Sequence, residues 1–476
     1  MPHQDALVVG SGPNGLAAAI ELARAGWSVT LYEAKDTIGG GMRTQALTRP
    51  GFRHDVCSAI HPLGRASPVF RGWPLERFGL EWIHPDVPLA HPLDDGTAAV
   101  LGASFEETAA SLSPDGDAWR RLMRPFSERL DALITDLLGP LGRPRHPLLS
   151  AWFGLQAVQS GQGLAERWFR GPQARALFAG IAAHVGLPLT QVGTAAAGLV
   201  LGVAGHAVGW PMPRGGAQAL ADALAGYFEQ LGGRIVTGHE VQTIEELPSA
   251  TAVLFDLTPR QVLRIAGARL PDGYRRALER YRYGGGVFKV DWALSEPVPW
   301  TAAACRRAGT IHLGGTLPEL VAAEAAPWAG RVSERPYVLL AQHTLFDDTR
   351  APAGQHTLWG YCHVPAHSTI DMTERIERQI ERFAPGFRDT ILARHTMTAP
   401  DMERYNANYI GGDINGGAQT LRQILARPAL RRDPYAMPTR GNGPALALCS
   451  ASTPPGGGVH GLCGYHAAQS VLRRHA

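Results

Sequence analysis

The stretch VVGSGPNGLAAAIELA, Val8 to Ala23, constrains the fold more than any other part of the chain. Ala6 to Val9 is a short apolar run suited to a buried parallel strand, and beyond the turn Leu16, Ile20 and Ala23 recur at helical spacing until Gly26 supplies a stop. SVTLYE, Ser28 to Glu33, reads as the next strand, which completes one βαβ unit. Between strand and helix, Gly10, Gly12 and Gly15 form G-x-G-x-x-G around Pro13. The first glycine permits a tight turn, the second lets backbone approach a diphosphate, and the third lets helix pack on strand. The helix N-terminus offers unpaired N–H groups and partial positive charge to that diphosphate. Glu33 ends the second strand, where an acidic side chain can accept both hydroxyls of an adenosine ribose. The expected ligand is a dinucleotide.

Two more segments belong with this unit. GGAQALADALAGYFEQLGG, from Gly215, places Leu220, Leu224, Phe228 and Leu231 on one helix face, and the strand-like RIVTGHEVQTI and TAVLFDLT follow it. The tail TPPGGGVHGLCGYHAAQSVL, Thr453 to Leu472, is a second glycine loop that leads into a last helix. Two such loops suggest one long ligand held from both ends. Between about Ala109 and Leu201 helical patterns are broken by Gly and Pro, whereas GVFKVDWAL and PYVLLAQHTLF read as strands and TERIERQIERF as a polar helix. At 476 residues the chain exceeds the span of a single core. The expected class is α/β: a discontinuous nucleotide-binding domain from 1–75, 205–275 and 433–476, and an α+β substrate domain from 76–204 and 276–432 with a mixed sheet and a helical section.

A formal net charge of +3 is too small for a nucleic-acid surface, so no nucleic-acid partner is expected. The five cysteines are scattered without metal-ligand spacing and read as reduced thiols, with no metal site and a cytoplasmic location expected. No secretory signal is read before the first strand. The uncharged stretch Thr194 to Trp210 is shorter than the ~20 residues of a membrane span. It reads as buried structure, with peripheral membrane contact as the alternative. Lys35 and Lys289 are the only lysines.

EAKDTIGGGMRT sets Gly39, Gly40 and Gly41 with Arg43 and Thr44 directly after the ribose acid. This segment resembles the second fingerprint of FAD enzymes of the glutathione-reductase type, particularly the flavin amine oxidase and phytoene desaturase superfamily. WPMPRGGAQALADAL resembles the segment with which that superfamily re-enters its flavin domain, and TPPGGGVHGLCGYHAA is similar to the closing flavin motif of bacterial phytoene desaturases. The resemblance spans nearly the whole chain and implies a glutathione-reductase-type Rossmann domain with FAD as cofactor. It implies that Gly40, Gly41 and Arg43 follow the pyrophosphate and ribityl chain. Gly457, Gly458, Val459 and Gly461 would lie beside the flavin ring, where backbone N–H groups meet the negative charge that gathers at the N1/O2 edge on reduction.

The implied activity is an FAD-dependent oxidoreductase that dehydrogenates a largely apolar small molecule by hydride transfer to flavin N5, with oxygen or a quinone taking the electrons. A redox-neutral flavin isomerase and a non-catalytic FAD-binding scaffold are the competing functions. One nucleotide-binding unit and the lack of a CxxxxC pair argue against a second bound nicotinamide cofactor and against thiol–disulfide chemistry. GGGVFKVDWALSEPVPW resembles the amine oxidase segment in which a strand lysine holds a water against N5 and assists reoxidation by oxygen; Lys289 falls on that position. Alternation puts Lys289 and Asp291 on one strand face, so a Lys–Asp pair is the competing reading. His61, in DVCSAIHPLG, and His460, in the last glycine loop, are candidate acid/base groups, each against a structural, hydrogen-bonded alternative. Arg350 reads as a tie within the substrate domain. These motifs specify neither the substrate nor an oligomeric state.

Overall fold

The computed structural model describes residues 4–140 and 142–475. Its first sheet runs Ala436–Met437, Ala445–Leu448, Ala250–Phe255, Gln4–Val9, Val29–Tyr32, Arg234–Val236. Every neighbouring pair is parallel except the first. The central strands are apolar at consecutive positions because both faces are covered. Ala6, Val8, Leu31 and Leu254 pack under the helices Pro13–Arg24, Gln218–Gln230 and Leu462–His475. Leu7, Val9, Val253 and Phe255 face the opposite way, onto Val262, Ile265 and Tyr274. The chain enters this sheet from three separate stretches of sequence. Gln4–Val9 lies between Val29–Tyr32 and Ala250–Phe255, so its carboxyl end is the point where connections leave in both directions and a crevice opens.

The last helix lies directly on the first. A Cβ on Gly464 would stand 1.8 Å from the carbonyl oxygen of Asn14, a spacing only glycine tolerates. That contact brings the tail's glycine loop to the same end of the sheet as Gly10–Gly15.

The second sheet has seven strands in the order Ile391–Met397, Gly286–Leu294, His356–Val364, Val338–Ala341, Ala308–Leu313, Val87–Pro92, Ala98–Leu101. It is mixed, with Ala308–Leu313 and Val87–Pro92 parallel and its other neighbours antiparallel. One face is closed by Ile376, Ile380 and Phe383 of the helix Thr373–Phe383. The other, through Leu339, Trp359 and Tyr361, joins the core of the helical section with Trp119, Phe126, Phe178 and Leu199.

The structure departs from the sequence reading in three places. Val87–Pro92 and Ala98–Leu101 form a hairpin about Asp95 and Gly96, in a stretch to which the sequence assigned no element. RIVTGHEVQTI contributes only Arg234–Val236 to the sheet, because Gly238 turns the chain with φ +65°. PYVLLAQHTLF contributes only Val338–Ala341 before a single helical turn at His343–Leu345. Thr194 to Trp210 holds the helix Ala195–Val208, whose Ala195, Leu199 and Val203 are fully buried. Among the described residues no helix is long and apolar enough to cross a membrane.

Candidate active site

A cavity of about 800 Å³ opens at the carboxyl ends of the first sheet's strands and runs into the interface with the second sheet. Its volume is at the upper end for small-molecule and cofactor sites. Gly10, Gly12 and Pro13 line one end, Glu33, Gly40, Gly41 and Arg43 follow, and Gly457, Gly458 and Val459 line it from the tail. Beyond the loops it continues between Val200 and Leu201 of the helical section and Leu339, Trp359 and Tyr361 of the second sheet.

Ser11 and Glu33 of the first unit have traceable partners, whereas the buried Asn14 Oδ1 has none among the described residues. Glu33, buried, accepts hydrogen bonds at Oε2 from the Ser11 backbone N–H (3.1 Å) and hydroxyl, and at Oε1 from the Lys35 N–H and Arg43 Nη2 (both 3.0 Å). A ligand's ribose hydroxyls therefore compete with the Ser11 hydroxyl for Oε2. Arg43 also donates to the Thr37 and Gly40 carbonyls (2.6 and 3.1 Å), so it holds the second glycine loop in shape and fixes Glu33. Gly12, at φ −66° and ψ 177°, is in a conformation open to any residue; its reason is space. A Cβ there would lie 2.5 Å from Asp256 Oδ2.

Gly15 and Gly461 are absent from the lining. A Cβ on Gly15 would meet the Gly10 carbonyl oxygen at 2.0 Å, and one on Gly461 the Phe70 ring at 2.6 Å. Both are packing glycines at helix starts. His460 is also out of the cavity: its Nδ1 accepts the Leu462 N–H (3.0 Å) while its carbonyl accepts the Ser67 hydroxyl (2.7 Å), and burial holds its pKa down to about 4. Its ring caps the start of the last helix. His61 does line the cavity. Its Nε2 lies 3.2 Å from Ser58 Oγ, its buried Nδ1 has no partner, and burial lowers its pKa to about 4.

Lys289 is 1% exposed and turned onto Asp291, as the strand alternation allows. Asp291 also lies 3.6 Å from His54 and 3.7 Å from His395. Lys289 Nζ stands 5.8 Å from the ring centre of Trp359, which lines the cavity. The lysine thus sits behind the wall, bound into a buried charged cluster.

Three cavity groups escaped the sequence reading. Trp359 and Tyr361 alternate along HTLWGYCHV, so one face of that strand supplies both rings. His184 lines the chamber with Nε2 2.9 Å from His312 Nε2, and burial, with the nearby His363, pushes its pKa down to about 3. Asp256 follows the strand Ala250–Phe255 at the crevice and accepts the Gly15 N–H (2.8 Å). The signal for it was position: the residue after a central parallel strand faces the ligand.

Burial raises the Asp256 pKa to about 7, against the N–H groups of Gly15 and Gly12 and with help from the Glu33 charge. In the unfolded chain the same carboxyl titrates near ~3.9. Between those values the folded protein keeps a proton the unfolded chain has lost, so stability falls as pH rises from about 4 to about 7 and stays reduced above. Asp256→Asn keeps an acceptor for Gly15 and removes the charge. It is expected to flatten that decline and raise the thermal midpoint at about pH 8, because no carboxylate forms beside the first glycine loop. A midpoint that falls equally with pH in both proteins would show that Asp256 is not the titrating group.

A parallel sheet with a glycine-lined crevice, continued into an apolar chamber under a second sheet, defines a dinucleotide-binding oxidoreductase. Residues 5–265, more than half of the chain, match the FAD dependent oxidoreductase family (DAO), and the chain belongs to that family. It is 27% identical to the pyridine nucleotide-disulfide oxidoreductase domain-containing protein 2 of Rattus norvegicus, over 99% of this chain and 94% of that one. The hydroxyneurosporene desaturase of Cereibacter sphaeroides is 26% identical over 98% and 97% of the two chains. Among solved structures, putrescine oxidase bound to putrescine superposes with TM-score 0.62 at 18% identity over 99% of this chain and 100% of that one, and an oxidoreductase from Methanosarcina mazei with TM-score 0.64 at 16% identity over 98% and 100%. The protein is an FAD-dependent oxidoreductase.

Proposed function

We propose that the protein removes two electrons from a largely apolar small molecule and passes them to a quinone-type acceptor. The observation that carries this reading is one continuous cavity lined by both glycine loops and ending among apolar and aromatic walls. The residues present fit FAD. Gly12, Gly40 and Gly458 line the cavity without a side chain, so a ligand's diphosphate and ring can approach their backbone closely; a Cβ there would also meet Asp256, Gly12 and His460 at 2.5, 3.0 and 3.1 Å. Glu33 and Arg43 would hold the adenosine end, and the Gly457–Val459 loop the ring end.

Bound FAD supplies the two-electron acceptor, taking a hydride at N5. The chain's own residues bind the substrate, exclude water and take up the released proton. Ile60, Val200, Leu201 and Trp359 exclude water from the chamber, which favours an apolar substrate by burial alone. His61 and His184 are neutral at pH 7 and offer ring nitrogens on the wall for the proton that dehydrogenation releases. The competing hydrogen bonds of Lys289 favour a quinone over oxygen, since Nζ is committed to Asp291 behind Trp359.

The purified protein, photoreduced under argon, is expected to stay bleached in air and to regain its flavin band on addition of a water-soluble quinone. The double variant Lys289→Met/Asp291→Asn, which leaves no buried charge uncompensated, is expected to be reoxidised by the quinone at the wild-type rate. Rapid recovery in air that the double variant loses would make the protein an oxidase. A purified protein without a flavin band would sink the reading of both loops.

A further inference from the structure

The helix Pro147–Ala157 buries Leu149, Phe153 and Gln156 and turns its other side outward. Leu148, Ala151, Leu155 and Val158 fall at i, i+3, i+7 and i+10, one stripe along the helix and its C-cap. Leu148 is 87% and Leu155 67% exposed, values far above those of leucines that a fold covers itself.

The stripe continues to the cavity. The Gly193 N–H donates to the Val158 carbonyl (2.9 Å), which sets Val192, 59% exposed, beside it. Gly193 in turn faces Leu421 at the start of the helix Leu421–Ala426, where a Cβ on the glycine would stand 3.5 Å from Leu421 Cβ. Gly193 and Ile424 line the cavity while Val192 and Leu425 face outward, so these two short segments connect the exposed apolar stripe to the chamber.

Basic side chains outnumber acidic ones around this rim, where the adjoining acid Asp136 is turned onto the backbone N–H groups of Arg145 and His146 and the Ser150 hydroxyl. Residues 137–165, 187–209 and 414–432 contain no Asp or Glu. Arg143, Arg145, Arg422, Arg431 and Arg432 are exposed and form no ion pair among the described residues. For a chain whose net charge is only +3, Arg143 and Arg145 directly before the stripe and Arg422 on the helix Leu421–Ala426, none of them in an ion pair, are a local concentration of positive charge, whereas Arg431 is stacked on Tyr274. An apolar stripe flanked by arginines matches an anionic bilayer surface, where the side chains enter the acyl boundary and the guanidinium groups meet the headgroup phosphates. A second copy of the chain would bring the same arginines against one another.

We infer that this face docks on an anionic membrane, with the stripe of Pro147–Ala157 and the helix Leu421–Ala426 in the headgroup layer and the cavity opening toward the lipid. An apolar substrate and a quinone would then reach the chamber without crossing water; that supply role rests on the dehydrogenase reading, whereas docking itself does not. The docking surface is thus not the uncharged stretch 194–210 weighed from sequence, which is core.

Co-sedimentation of the holoprotein with vesicles tests the inference. Vesicles containing phosphatidylglycerol are expected to bind at least ~10-fold more protein than pure phosphatidylcholine vesicles, with the excess lost at high salt. Leu148→Asp/Leu155→Asp and, separately, Arg143→Glu/Arg145→Glu should each reduce binding to the anionic vesicles by about 10-fold with flavin content and photoreduction unchanged. These positions are exposed, so both variants should fold. Absence of binding to either vesicle overturns the inference. So does a dimer in light scattering that Leu148→Asp/Leu155→Asp dissociates, since the stripe would then be covered by a second copy. Vesicle binding intact in a protein whose reduced flavin is not reoxidised by the quinone would instead count against the dehydrogenase reading alone.

Discussion

Gly12→Val is expected to yield a folded protein that purifies without its flavin, with cofactor affinity reduced by more than ~100-fold, equivalent to about 2.7 kcal/mol. The backbone at Gly12 is extended, so valine adds no conformational strain. Steric occupation does the damage. The new Cβ meets Asp256 Oδ2 at 2.5 Å, and that carboxyl can turn only by leaving the Gly15 N–H it accepts. The methyl groups then occupy cavity space at the loop whose backbone must approach the diphosphate closely. The same substitution at Gly15 is a poorer test, because its Cβ strikes the Gly10 carbonyl oxygen at 2.0 Å and breaks the strand-to-helix turn itself. Gly154→Ala serves as the control: nothing lies within 4 Å of its Cβ, and alanine favours the helix. Flavin absorbance per protein, read beside the far-ultraviolet circular dichroism, separates loss of ligand from loss of fold. A Gly12→Val protein that retained stoichiometric flavin would place the diphosphate elsewhere.

The parts of this site that were legible in the sequence are those where local pattern and tertiary role coincide. Ala6–Val9 is apolar at every position because both faces of its strand are covered, and the G-x-G-x-x-G spacing is readable because the strand-to-helix turn itself sets it, with Gly15 answering to the Gly10 carbonyl five residues away. Where the neighbour is remote, the pattern is silent. Asp256 looks like any acid after a strand, and its raised pKa arises from packing against a loop 241 residues earlier in the chain. VPLAHP hides a strand behind two prolines and a histidine; His91 is tolerable inside the sheet because Nε2 meets the Gly315 carbonyl at 2.7 Å. Gly461 and His460 carry the flavin-loop pattern yet serve the start of the last helix, because a motif fixes the backbone path and leaves each side chain's direction to its surroundings. An uncharged run such as 194–210 records only that it is apolar. Whether protein or something else covers it depends on the elements around it, and here the core covers it while the mixed sequence of 147–158 presents the open face.

Removing the Arg350 side chain should destabilise the protein by about 3–5 kcal/mol, the cost of leaving a buried charge unpaired. Arg350 and Asp55 are both fully buried, with Nη2 2.9 Å from Oδ2. Burial opposes ionisation of Asp55, yet Arg350, His343 and the Thr44 and Ala217 donors together hold its carboxyl below the usual range. The group is a junction between distant parts of the chain. Its other oxygen accepts Thr44 Oγ1 (2.6 Å) and the Ala217 N–H at the start of Gln218–Gln230 (2.8 Å), while Arg350 Nε donates to the Arg53 carbonyl and its own carbonyl accepts the Arg53 N–H. Arg350 therefore fastens the loop before the strand His356–Val364 to the nucleotide-binding sheet's neighbourhood, a wider role than a tie within one domain. In Arg350→Met the Asp55 carboxylate keeps its burial and loses its cation, so its pKa rises. Protonation then relieves the variant and not the wild type, whose depressed pKa contributes stability that is present above the unfolded value and lost as pH falls. The gap between the two unfolding midpoints should be widest near neutral pH and narrow toward about pH 4. Adding Asp55→Asn to Arg350→Met should restore most of the loss, because an amide can still accept from Thr44 and Ala217 without a charge to compensate. A deficit that is independent of pH and persists in the double variant would mean that Arg350 acts by packing, and that the Asp55 charge is not what it holds in place.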